Sequence, residues 1–165
     1  MRILHPWYAE LWLARAARNI VYVEYKTMSF KNDYNFGLQA EDSVMSRMSS
    51  YFGTELTKTD KFNPFDFKSS KMCIELKTRR NAKDKYPTTM VGANKVRIAE
   101  EDTSGKRYFF AFNFTDGLYY VEYDRELFSG FEIKQGGRFD RGRPELNSYC
   151  YIPVSCLKLM SENPI

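Results

Sequence analysis

The chain has 165 residues, 43% hydrophobic, 16% aromatic and 28% charged, enough for one folded domain and unlike a disordered chain, a collagen repeat or a disulfide scaffold. Its net charge of +4 is too small, taken whole, to name a partner. Three cysteines with no CxxC pair and a single histidine, His5, leave a His/Cys zinc site without ligands and point to reduced thiols in a cytoplasmic protein, and no apolar run reaches membrane-spanning length.

Residues 7–18 read as a short helix and Ile20-Val21-Tyr22-Val23 as a strand, with Glu10, Arg15 and Arg18 interrupting any signal-peptide pattern. Residues 1–27, which hold both tryptophans and His5, are expected to form an N-terminal appendage to a domain spanning 28–165. From Tyr34 to Phe52, Phe36, Ala40, Val44, Met48 and Tyr51 recur at helical steps; Asn35 suits the cap and Gly53 the end. Strand-like pieces follow at Thr54–Thr57, Phe65–Phe67 and Met72–Thr78, the last two joined as a hairpin by the polar turn Lys68-Ser69-Ser70-Lys71. A basic loop over Arg79–Tyr86 ends at Pro87, and a second helix is expected over Thr88–Glu101. Arg107–Phe114 and Leu118–Tyr123 flank Thr115-Asp116-Gly117 as a hairpin. Residues 135–144 read as a Gly/Arg loop, Tyr149–Ile152 as a strand and the stretch from Pro153 as a short helix; Cys150 and Cys156 read as buried apolar residues. The order helix, strands, helix, strands describes an α/β or α+β domain.

No P-loop, GxGxxG, HExxH or GxSxG motif is present, so carboxylates and lysines carry whatever chemistry there is. A Glu-x-Lys triplet on a strand puts both side chains on one face about 7 Å apart. A carboxylate from a neighbouring strand completes an oxygen-lined Mg²⁺ site, and the lysine orients water and offsets phosphoryl charge. The triplet alone is weak evidence, for it occurs three times: Glu24-Tyr25-Lys26, Glu75-Leu76-Lys77 and Glu132-Ile133-Lys134. Context selects Glu75. Asp66 precedes it across a short turn, Glu41 lies on the preceding helix, Arg79, Arg80, Lys83 and Lys85 follow, and a helix with Lys95 comes next.

Glu41 in a helix, Asp66 in Asn63-Pro64-Phe65-Asp66, and Ile74-Glu75-Leu76-Lys77 together resemble the PD-(D/E)xK nuclease superfamily over about residues 34–123. The resemblance implies a restriction-endonuclease-like α/β core, a mixed β-sheet flanked by helices in the order αβββαβ. It implies an Mg²⁺- or Mn²⁺-dependent DNA endonuclease in which Asp66, Glu75, the Leu76 carbonyl and Glu41 serve the metal and Lys77 is the catalytic lysine. Phe65 interrupts the literal Pro-Asp pair, which leaves Asp60 as an alternative acid. A small stand-alone domain of this kind resembles phage or viral nucleases and junction resolvases, acting in the host cytoplasm and often as homodimers.

Between Lys58 and Arg97 eleven basic residues face four acidic ones, a local excess of seven over a slightly acidic remainder, which suits a phosphate backbone. Within this band Arg79, Arg80, Lys83, Lys85, Thr88 and Lys95 are the nucleic-acid-binding candidates, Thr88-Thr89 by presenting a helix N-terminus to phosphate. Tyr86 suits base stacking or packing, and Arg138, Arg141 and Arg143 a groove-tracking loop or plain surface charge. Two other readings stand beside the nuclease: a catalytically silent nucleic-acid-binding domain of the same fold, and an interaction protein whose Glu-x-Lys triplets are charged strand faces. RNA stays open as substrate, because the metal chemistry does not read the sugar.

Overall fold

A computed structural model describes residues 41, 43–138 and 145–161, which fall within one compact unit, Gln39–Ile165. The expected appendage, the elements read before residue 41, the Glu24 triplet, Arg141 and Arg143 lie outside the described residues.

Helix α1 covers residue 41 and residues 43–52. Val44 and Met48, one turn apart, are buried on its inner stripe. It ends in a Schellman turn at Gly53, whose φ is +60°, with Gly53 N donating to Ser50 O and Thr54 N to Ser49 O. The strands and helices that follow are β1 (Thr57–Lys58), β2 (Phe67–Lys68), β3 (Met72–Thr78), β4 (Thr88–Gly92), α2 (Ala93–Glu101), β5 (Arg107–Phe114), β6 (Gly117–Glu122), α3 (Arg125–Ser129), β7 (Glu132–Arg138), β8 (Glu145–Pro153) and β9 (Lys158–Leu159). A six-stranded sheet runs β1-β2-β3-β5-β6-β9 and a three-stranded sheet runs β4-β8-β7. The larger sheet is mixed. β3 and β5 pair in parallel, which needs the crossover through β4 and α2, while its other pairs are antiparallel.

The larger sheet carries apolar side chains on both faces. Met72, Ile74, Leu76, Phe67 and Phe109 pack with Val44 and Met48 of α1. Tyr108, Phe110, Phe112 and Phe114 pack on the other face with Val96 and Ala99 of α2, Phe128 of α3, and Val91, Cys150 and Ile152 of the small sheet. β5 is therefore buried almost throughout, as a central strand covered on both faces must be, and burial of each of its phenylalanines contributes about 2–3 kcal/mol. Among the described residues no helix is long and apolar enough to cross a membrane.

The structure corrects several expected elements. Thr88–Gly92 is a strand, not the start of a helix, and α2 begins only at Ala93. Gln135–Arg138, expected in a loop, belong to β7. Gly136 lies against the Tyr149 ring, where a Cβ would approach to 3.3 Å, a tight contact. The first two strands shrink to Thr57–Lys58 and Phe67–Lys68, and the final helix is a single 3-10 turn at Val154–Cys156. Cys150 is buried, whereas Cys156 is only partly so. The short α3, capped by Asp124 Oδ1 accepting from Leu127 N at 2.8 Å, and β9 carried no recognised signal.

Candidate active site

β2 and β3 pair antiparallel with Phe67 opposite Ile74. Extending the register by one pair sets Asp66 opposite Glu75, and Asp66 N donates to Ile74 O at 3.0 Å. There β2 ends. Side chains close the preceding loop: Asp60 Oδ1 accepts from Phe62 N at 2.8 Å and Asn63 N at 3.2 Å, and Asn63 Oδ1 from Phe65 N at 3.0 Å. Asp60, the alternative acid, is thus spent on a turn. Asp66 takes over where the ladder stops, its Oδ2 accepting from Leu76 N at 2.7 Å. Because a strand residue's N–H and C=O leave on the same edge, the Leu76 carbonyl also points to the edge that Asp66 occupies.

Alternation sends Glu75 and Lys77 to the face opposite Ile74 and Leu76, toward α2. Glu75 is 2% exposed, and a carboxylate so buried requires partners. It has two: the Lys77 ammonium on Oε1, and Lys95 Nζ, from the first turn of α2, at 3.2 Å from Oε2. Lys95 also lies 5.7 Å above the Phe65 ring. Burial, then the negative charge of Glu75, push the Asp66 carboxyl up to about 6, against the Leu76 N–H and Lys77, which pull it down; the Glu41 charge adds to the rise. Two opposed carboxylates beside a carbonyl form an oxygen-only donor set that fits a hard divalent cation. Glu41 pairs with Lys58 of β1 at 2.8 Å. Its charge reaches Asp66, although among the described residues no three acidic, His or Cys side chains are grouped closely enough to hold an ion together.

Glu75 and Lys77 line a cleft of about 710 Å³ whose walls include Lys95 and Arg97 of α2 and Tyr149 of β8. The Lys95–Glu75 contact was legible only as a helix lysine near a phosphate, and Tyr149 not at all, though it alternates with Tyr151 on one strand face. The other nucleic-acid-binding candidates do not enter this cleft. Arg79 Nη2 donates to Met90 O at 2.7 Å, and burial pulls the guanidinium pKa down. Lys83 Nζ pairs with Asp84 at 2.6 Å, Lys85 Nζ lies 5.5 Å over the exposed Tyr86 ring, and Arg80 is exposed. Thr88 opens a strand, so the helix-N-terminus reading for Thr88-Thr89 is overturned; the N-cap of α2 is Gly92.

A mixed sheet flanked by helices, with Glu75 and Lys77 on its central strand β3, Asp66 at the end of β2 and Lys95 on the crossover helix, defines an α/β protein of the restriction-endonuclease-like class. The chain belongs to the phage putative PDDEXK endonuclease family, whose model matches residues 17–160. That range contains Glu41, Asp66, Glu75 and Lys77 and begins inside the segment 1–27. Among curated proteins none matches the chain.

Proposed function

We propose that the protein is an Mg²⁺- or Mn²⁺-dependent endonuclease that hydrolyses DNA phosphodiester bonds. The observation that carries this reading is the opposition of Asp66 and Glu75 at the end of the β2–β3 pair, with Lys77 on the same face as Glu75. Asp66, Glu75 and the Leu76 carbonyl would hold the ion, with Glu41 acting through its charge. When bound, such an ion lowers the pKa of water and polarises a phosphoryl oxygen. The Leu76 N–H fixes one Asp66 oxygen and leaves the other for ligation. Lys77 orients the attacking water and stabilises the added negative charge at phosphorus. Lys95 fixes the second Glu75 oxygen and adds positive charge to the cleft, which draws in the phosphate backbone together with Arg97. A homodimer would bring two such sites onto two strands.

Incubation with linear, branched and single-stranded DNA and with RNA, with and without Mg²⁺ or Mn²⁺, tests the reading. Ion-dependent cutting of DNA, stopped by a chelator, is expected. Intact DNA in every reaction, or cutting that persists in the chelator, would overturn it.

A further inference from the structure

A second hollow, of about 430 Å³, lies between the end of β3 and the edge strand β4. Strand register ties it to the catalytic cleft. On the line of β3, Lys77 borders the cleft and Arg79 the hollow; on β4, Gly92 and Met90 do so; on β8, Tyr149 and Tyr151. Arg79 continues the ladder of β3, its N–H donating to Asn113 O at 2.8 Å. Gly92 faces Tyr149 across the small sheet, and Met90 faces Tyr151. Each step is two residues, so the hollow is the cleft's neighbour about 7 Å further along three strands. That displacement is comparable to one nucleotide of an extended strand.

The lining is that of a flat aromatic ligand with polar edges. Phe114 is buried beneath it, Met90 is 37% exposed and Tyr86 stands at the rim 54% exposed. The Arg79 guanidinium is fixed by the Met90 carbonyl, and Asn81 supplies an amide whose Nδ2 donates to Ala82 O at 2.8 Å. Apolar walls with a few placed polar groups suit an aromatic heterocycle, and the hollow exceeds the volume of any one nucleobase. Lys83, Thr88 and Thr89 also line it, but the Lys83 ammonium is held by Asp84 and Arg79 by the Met90 carbonyl, so the apolar walls dominate what a ligand would meet.

We propose that this hollow is a base pocket, which receives an unpaired nucleobase from the nucleotide next to the scissile phosphate. Tyr86 and Tyr151 stack on the base, and Arg79 and Asn81 meet its edge. The placement of the scissile phosphate rests on the nuclease reading above. A base held in a duplex cannot enter such a pocket without leaving its stack, so the preferred substrate carries an unpaired nucleotide beside the cut.

Binding tests this apart from catalysis. The full-length Lys77→Ala protein, in chelator, is titrated with a single-stranded oligodeoxynucleotide carrying one 2-aminopurine, and with its fully paired duplex. A several-fold change in 2-aminopurine emission on the single strand is expected, with weaker binding of the duplex. Tyr86→Ala, at an exposed position, and Tyr151→Ala each weaken single-strand binding by at least about fivefold. Unchanged emission at saturation, equal affinity for duplex, or an unaltered affinity in Tyr86→Ala overturns the pocket, even if wild-type protein cleaves DNA with metal. The expected binding without any metal-dependent cleavage by wild-type protein would support the pocket and sink the nuclease reading.

Discussion

Two strands among the described residues carry a Glu-x-Lys triplet, and only one of them surrounds it with a second acid and a second lysine. Glu132-Ile133-Lys134 lies on β7, an edge strand of the small sheet, where Lys134 Nζ and Glu132 Oε2 pair at 2.8 Å with side chains 56% and 59% exposed. Glu75-Leu76-Lys77 lies on β3, inside the large sheet, where the Glu75 side chain is 2% exposed and meets two ammonium groups. On β7 water screens the pair and the triplet does no more than decorate an edge. On β3 the neighbouring strand ends at an acid opposite the glutamate, and the crossover helix delivers a second lysine. The proposed chemistry rests on what the sheet puts around the triplet, and the contrast can be broken or sharpened by substitution.

The largest effects on cleavage are expected at Lys77 and the two opposed carboxylates. Lys77→Ala lowers the cleavage rate about 10³-fold or more, with little change in DNA affinity, as measured by single-turnover cleavage and by binding in chelator. Lys95→Met, which removes only the helix-borne partner of Glu75, lowers cleavage about 10- to 100-fold in the same assay. Asp66 gives a smaller effect on stability, of opposite sign to its effect on activity. Its carboxyl is pushed up to about 6 from the usual 3.8, so its ionisation opposes folding. In chelator, the contribution of this group is most favourable below about pH 4 and is lost as pH rises through about 6. Asp66→Asn, which can still accept the Leu76 N–H, abolishes cleavage yet stabilises the metal-free protein at pH 7.5 by about 1–3 kcal/mol in denaturant unfolding. That gain vanishes near pH 4. The smallest effect belongs to the exposed triplet: Glu132→Gln leaves the melting temperature unchanged.

The sequence made β3 legible residue for residue, together with the β5–β6 hairpin and the Gly53 stop of α1, because these obey alternation or a chirality-specific cap. It misread Thr88–Gly92, where apolar residues run from a strand into a helix with only Gly92 between them. The period-two burial of Thr89 and Val91 against the more exposed Thr88 and Met90 spans too few residues to outweigh the helical pattern of Val96, Ile98 and Ala99. β7 was hidden by its glycines, of which Gly136 lies close against the Tyr149 ring. At the site, Asp66 and Glu75 could be paired from the hairpin and its turn. That Asp66 caps the Leu76 N–H, that Lys95 reaches Glu75, and that Glu41 is held by Lys58 depend on tertiary geometry, which spacing does not carry.

The most direct measurement sets the two triplets against each other: cleavage of one DNA substrate by wild-type, Glu75→Gln and Glu132→Gln proteins, with Mn²⁺ and with chelator. Wild-type and Glu132→Gln are predicted to cut at rates within about twofold of each other, only with the ion, while Glu75→Gln does not cut. Cutting by Glu75→Gln at the wild-type rate, or loss of cutting in Glu132→Gln alone, would contradict the assignment of the β3 triplet as the catalytic one.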